Sequence, residues 1–223
     1  MTLENTLAIG NGIYTVPEIA QILRVPYHKV HRWLNKYWDG ELGARFQQSY
    51  SWTVENTKAV GFHTLIEFYV MMELAEAGVK TRQVLIAHEE LAGWVNTPFP
   101  FAQREILKNI RTDGKRIYFK VDEQTVTLDG SCQLNLDFIQ MFFKNIDFGN
   151  DLIAERFWPL GREKAILVDP KRKFGHPVID GTNIYPETIY NLHLAGEHEE
   201  YIAYLYEITP QQVKDAIEYC SAA

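Results

Sequence analysis

The sequence predicts a mainly α protein with small β elements: a winged helix-turn-helix at one end and a C-terminal three-helix, helix-turn-helix-like module at the other. Three observations carry this. Residues 15–34, TVPEIAQILRVPYHKVHRWL, read as two short amphipathic helices joined by a tight turn. The same pattern returns near the other end. Ile19, Ala20, Val25, Val30 and Leu34 align with Ile202, Ala203, Ile208, Val213 and Ile217 at a constant offset of 183. Between them, aromatic and β-branched runs punctuated by Asp-Gly pairs supply short strands.

The first helix is opened by a capping box, Thr15 with Glu18, and by Pro17 in the first turn, where an amide is unpaired anyway. Ile19, Ala20, Ile22 and Leu23 supply its buried side. Arg24-Val25 is the turn, and Pro26 opens the second helix. At 100° per residue, Tyr27, Val30, Trp33 and Leu34 fall on one side of it. His28, Arg32 and Asn35 fall on the other, flanked by Lys29 and Lys36. A second helix with this face is what a helix-turn-helix places in the major groove, where Arg reads guanine, Asn reads adenine and Lys holds phosphate. The candidate DNA contacts are Tyr27, His28, Lys29, His31, Arg32, Asn35 and Lys36. A solvated outer face would carry the same residue types. Residues 47–55, QQSYSWTVE, follow a Gly-containing stretch and predict a wing, with Trp33, Trp38 and Trp52 as core.

Residues 63–77 predict a strongly amphipathic helix stopped by Gly78, and 81–95 a second one. Met71, Met72, Phe68 and Tyr69 read as core or dimer seam rather than a ligand pocket. Residues 112–130 predict two or three short strands, and 134–146 a helix. AILVDP, from Ala165, is a strand, KRKFGHPVIDGTNI a basic loop leading to another, and 186–195 a helix ending at Gly196. Thr209 with Gln212 forms a second capping box. The expected organisation is a DNA-binding domain over 1–60, a central helical and β-hairpin linker or dimerisation region over 61–161, and the C-terminal module over 162–223.

Composition narrows the function classes. The 223 residues are 46% hydrophobic, so the chain can build a core. No apolar run reaches 18 residues and the first residues lack the basic and apolar regions of a signal peptide. Cys132 and Cys220 therefore read as free thiols in a cytoplasmic protein with no membrane association. A net charge of −7 argues against a histone-like DNA coater. Its distribution is uneven. Residues 14–36 carry a local +3 (Arg24, Lys29, Arg32 and Lys36 against Glu18). Residues 180–223 carry −7, with Lys214 their only Lys or Arg. The second helix-turn-helix-like unit is expected to expose Gln211, Gln212, Asp215 and Glu218, which would oppose phosphate, so it reads as a structural or protein-binding module.

GIYTVPEIAQILRV, MELAEAGV, TDGKRIYF and above all FGHPVIDGTNI followed by ITPQQVKDAIEY resemble one group of VapB-type antitoxins. In that group a winged helix similar to the MerR regulators precedes a C-terminal domain known only as a domain of unknown function. Where the group has Gly-Thr-Arg, this chain has Gly181-Thr182-Asn183. The resemblance implies an antitoxin that represses its own operator DNA and neutralises a toxin encoded beside it, typically a PIN-like ribonuclease. The acidic end is the expected toxin-binding surface, with Lys171, Arg172, Lys173, Asn183, Glu199, Glu200, Tyr201 and Tyr204 as candidate contacts. Of the tyrosines there, Tyr201 or Tyr204 is expected to be exposed. A homodimer is expected, since paired recognition helices read enough base pairs for specificity.

Two other classes remain as alternatives: a MerR-like ligand-sensing regulator without a toxin, and a metal-dependent nuclease. Neither catalytic residues nor cofactor or metal ligands are assigned. His88-Glu89-Glu90-Leu91 lacks the second histidine of a zincin helix, and His193 and His198 straddle Gly196. No phosphate loop, dinucleotide fingerprint or nucleophile elbow is present.

Overall fold

The computed structural model describes residues 10–54, 56–112, 117–121, 124–127 and 142–221. Strand β1 (Tyr14–Thr15) leads directly into α1 (Val16–Leu23). Glu18 accepts from the Thr15 amide and the Thr15 hydroxyl, each at 2.7 Å, which satisfies the first orphan donor of the helix. Arg24 takes a left-handed conformation (φ 53°, ψ 41°) and ends α1. Helix α2 (Tyr27–Arg32) starts after Pro26 and runs without a break into a π-helical segment, Trp33–Leu42. A short α3 (Gly43–Phe46) follows. Strands β2 (Ser51–Val54) and β3 (Thr57–Val60) form the expected hairpin, and β3 also pairs with β1 in a sheet of order β1-β3-β2.

Helix α4 (Phe62–Glu76) corrects the amphipathic expectation. Leu65, Ile66, Phe68, Val70, Met71 and Leu74 are all buried, on every face of the helix. Neighbours on all sides explain this: Trp33 and Trp38 pack on Phe68 with ring centroids 5.9 and 4.8 Å away, and Phe157 on Tyr69 at 4.6 Å. The Met71-Met72 stripe is core, as read. Trp33 and Trp38 are buried, while Trp52 is only half-buried on the hairpin. Gly78 (φ 93°) terminates the helix, and α5 (Thr81–Val95) follows as expected.

Helix α6 (Arg104–Asn109) runs into a meander of β4 (Ile110–Thr112), β5 (Ile117–Val121) and β6 (Gln124–Thr127), the predicted short strands. Of the helix expected over 134–146, residues 134–141 lie outside those described. Residues 142–145 form a 3-10 turn and β7 (Ile146–Phe148) pairs with β8 (Ala154–Phe157). The described end of that expected helix is therefore a 3-10 turn, with Ile146 already in β7. The Gly149-Asn150-Asp151 turn closes the hairpin, with Ile153 N donating to Asp151 Oδ1 at 3.1 Å.

Strands β9 (Ile166–Leu167) and β10 (Val178–Ile179) pair antiparallel, and α7 (Pro186–Leu194), α8 (Glu199–Tyr206) and α9 (Pro210–Ser221) pack on them. The internal repeat is geometric as well as sequential. Glu207 ends α8 at φ 53°, ψ 41°, the same values as Arg24 exactly one repeat earlier in the chain. Val25 N donates to Ala20 O and Ile208 N to Ala203 O, both at 3.0 Å. Buried side chains fall into two clusters, one from Tyr14 to Val168 and one from Ile166 to Tyr219. The first spans the 60/61 position, so N-terminal and central residues share one core. Among the described residues no helix is long and apolar enough to cross a membrane.

Candidate nucleic-acid and partner interfaces

The first candidate surface is the outer side of α2. His28, His31, Arg32 and Lys36 are exposed together, whereas Val30, Trp33 and Leu34 are buried beneath them. Tyr27, which the helical wheel puts with the apolar side, is exposed and stacks on His31 at 5.8 Å. Lys29 is half-buried, with its ammonium 5.1 Å from the Trp33 ring, and Lys36 lies 5.2 Å from Tyr37. Asn35 departs from the expectation of a free base-reading amide: it is half-buried and its Nδ2 donates to His31 O at 2.9 Å. Asn35 lies within the π-helical segment Trp33–Leu42, to which a uniform α wheel does not apply. Arg32 is exposed, and its guanidinium carries five donors.

Arg24 does more than form the turn. Its guanidinium donates to Glu218 O at 3.2 Å, near the end of α9. Among the described residues, further links join the C-terminal module to α1 and its approach. Gln21 Nε2 donates to Glu187 Oε1 at 3.4 Å, His176 Nδ1 lies 3.5 Å from Glu18 Oε1, and Ile13 N donates to Phe174 O at 2.9 Å. No sequence signal pairs residues so far apart.

The second candidate surface divides into two parts. In the loop, the basic groups are engaged within the chain. Lys171 pairs with Glu155, Arg172 donates to the Thr182 carbonyl and to Asn183 Oδ1, and Lys173 lies over Tyr185 at 5.5 Å. Lys173 and Phe174 are both left-handed (φ 48° and 57°), a conformation costing about 1–2 kcal/mol per residue. Asp169 holds the loop by accepting from Lys171 N at 2.9 Å and pairing with Arg156 at 3.3 Å. Gly175 has φ 91°, and an added Cβ would lie 2.2 Å from the Tyr14 hydroxyl, so only glycine fits. Thr182 donates to Ile179 O at 2.8 Å and accepts from Ile184 N at 3.0 Å. The FGHPVIDGTN motif is thus the frame on which the module is mounted.

On the helices, Glu200, Tyr201 and Tyr204 are exposed and Glu199 half-buried, whereas Tyr219 is core. Asp215 corrects the expectation of an exposed carboxylate. It is buried, accepts from Ala165 N at 3.0 Å and Gln211 Nε2 at 2.9 Å, and faces Lys164 at 3.4 Å. Burial next to β9 turns it into an anchor for that strand's start. Gln212 closes the second capping box, accepting from Thr209 N at 2.8 Å.

Two features, a buried Glu67–His88 pair and an open cavity, carry no sequence signal. Glu67 and His88 face each other at 2.9 Å in the core, and Phe101 N donates to Glu67 Oε1 at 2.8 Å. Burial raises the Glu67 carboxyl above its ordinary range, against the opposing pull of His88 and the Phe101 and Ala102 amides. An open cavity of about 610 Å³ is lined by His63, Phe148, Asp151, Glu155 and Lys171, among others. Burial pushes His63 down to about 4, opposed by the Ala154 backbone and the Asp151 charge. Among the described residues no group of three or more His, Cys, Asp or Glu could hold a metal ion.

Residues 166–220 match a family described as a protein of unknown function, DUF433. The chain is 22% identical over 231 residues to a Mycobacterium tuberculosis protein named "Putative antitoxin VapB45", covering 94% of each. It is also similar to the crystal structure of Rv2018 from Mycobacterium tuberculosis, at TM-score 0.66 and 20% identity, covering 92% of this chain and 96% of that one.

Proposed function

We propose that this protein is the antitoxin of a toxin–antitoxin pair. It binds its own operator through α2 as a homodimer, repressing transcription, and it binds and neutralises a PIN-like ribonuclease toxin through residues 162–223. The observation that carries the reading is the opposite charge on two copies of one helix-turn-helix pattern. The first presents His28, His31, Arg32 and Lys36; the second presents Glu200 and Glu207, with Glu199 half-buried beside them. Phosphate selects the first and a basic protein surface the second. A ribonuclease holds RNA with basic side chains, so an acidic module in that groove gains attraction and excludes substrate together. The similarity to a protein named as an antitoxin supports the same reading.

A MerR-like ligand-sensing regulator is the second reading, favoured by the cavity beside His63. Co-expression separates the two. The full chain should restore growth to cells arrested by the ribonuclease-like product of the adjacent reading frame. Failure to do so, together with a small molecule that shifts operator affinity, would favour the sensor.

A further inference from the structure

Helices α1 and α8 open the two repeats, so each α8 residue has a counterpart on α1, 183 positions earlier. Tyr201, Tyr204 and Leu205 correspond to Glu18, Gln21 and Ile22. On α1 that face is a docking seat already filled. Glu18 faces His176, Gln21 bonds Glu187, Ile22 is buried, and all three line a narrow crevice with Tyr219. On α8 the same face is bare: Tyr201, Tyr204 and Leu205 are 51%, 82% and 51% exposed. They are spaced i, i+3, i+4 and so form one continuous strip. The turn residue changes sign between the repeats. Arg24 receives the carbonyl-rich end of α9, which is the negative pole of that helix. Its counterpart Glu207 is an exposed carboxylate.

We propose that the α8 face of Tyr201, Tyr204, Leu205 and Glu207 seats a basic surface of the toxin, as the α1 face seats the chain's own C-terminal module. This rests on the antitoxin reading and names the face that performs it. The occupant must be basic, because Glu197, Glu199, Glu200 and Glu207 surround the strip. A second copy of this chain would bring the same acidic face to a two-fold contact and be repelled. The tyrosines supply aromatic anchors of the kind that dominate interface energetics. The rival surface, Lys171 to Lys173, has its cations engaged internally and carries the same charge as an RNA-binding groove.

The test titrates the full-length chain with the purified product of the adjacent reading frame, by calorimetry. Two double variants are compared: Tyr204→Ala with Leu205→Ser, and Lys171→Ala with Lys173→Ala. The α8 variant should weaken binding about 30-fold or more, the loop variant by less than about threefold. Circular dichroism should show the parent fold in both. An α8 variant that binds within about threefold of the parent overturns the placement. Conversion of a dimer to a monomer by the α8 variant, with toxin affinity unchanged, overturns it in favour of a second copy. If the parent itself does not bind the neighbouring product, the antitoxin reading fails first, and that outcome is distinct from loss of the α8 placement alone.

Discussion

Asp215 and His63 show how far a side chain's role depends on what is folded over it. Asp215 sits on a helix whose sequence advertises an acidic outer face, yet it is buried, accepts from the Ala165 amide and shares Lys164 with Glu218. Asp215→Ala should lower stability by about 1–3 kcal/mol, because the partly buried Ala165 amide then loses its acceptor. Asp215→Asn, which keeps an acceptor oxygen, should lose less; equilibrium denaturation measures both. His63 is held neutral by burial, with its pKa lowered to about 4. Between about pH 6.5 and 4 the unfolded chain binds a proton there that the folded protein refuses. Stability conferred by neutral His63 is therefore present above that window and lost as pH falls through it, by up to about 3 kcal/mol. In His63→Gln the acid-side decline in melting temperature should shrink; an unchanged profile would place the decline in other groups.

At the scale of elements, local chemistry was legible and enclosure was not. Thr15 with Glu18 and Thr209 with Gln212 announced both helix starts, because a capping box is written within four residues. The equal spacing of the two repeats announced two equal turns. By contrast, α4 carries the polar residues His63, Glu67, Glu73 and Glu76 that make a wheel look two-sided, and only packing shows Glu67 buried against His88. The β7–β8 hairpin was hidden behind an apolar run that mimics a helix, a length ambiguity inherent in short apolar segments. The matched turns yield a paired prediction. Glu207→Gly should relieve the left-handed residue and raise stability by up to about 1 kcal/mol. Arg24→Gly should gain less or lose, since it also removes the donation to Glu218 O. Thermal melts of the two variants decide whether the repeats differ as their contacts do.

Across the whole molecule, charge asymmetry was readable from the sequence, and the way the ends meet was not. The C-terminal module reaches back to α1 through Phe174, His176, Glu187 and Glu218, leaving the outer side of α2 uncovered. The account requires DNA affinity to reside on that uncovered side and nowhere on α8. Fluorescence-anisotropy titration of DNA from upstream of the gene, at two salt concentrations, tests this most directly. Arg32→Ala should cost about 1–3 kcal/mol, a loss of about 5- to 150-fold, if the guanidinium reads a base. Lys29→Ala should weaken specific and random DNA alike and flatten the salt dependence. Tyr204→Ala with Leu205→Ser should leave operator affinity at the parent value. Unchanged affinity in both Arg32→Ala and Lys29→Ala, or a loss confined to the α8 variant, would contradict the account.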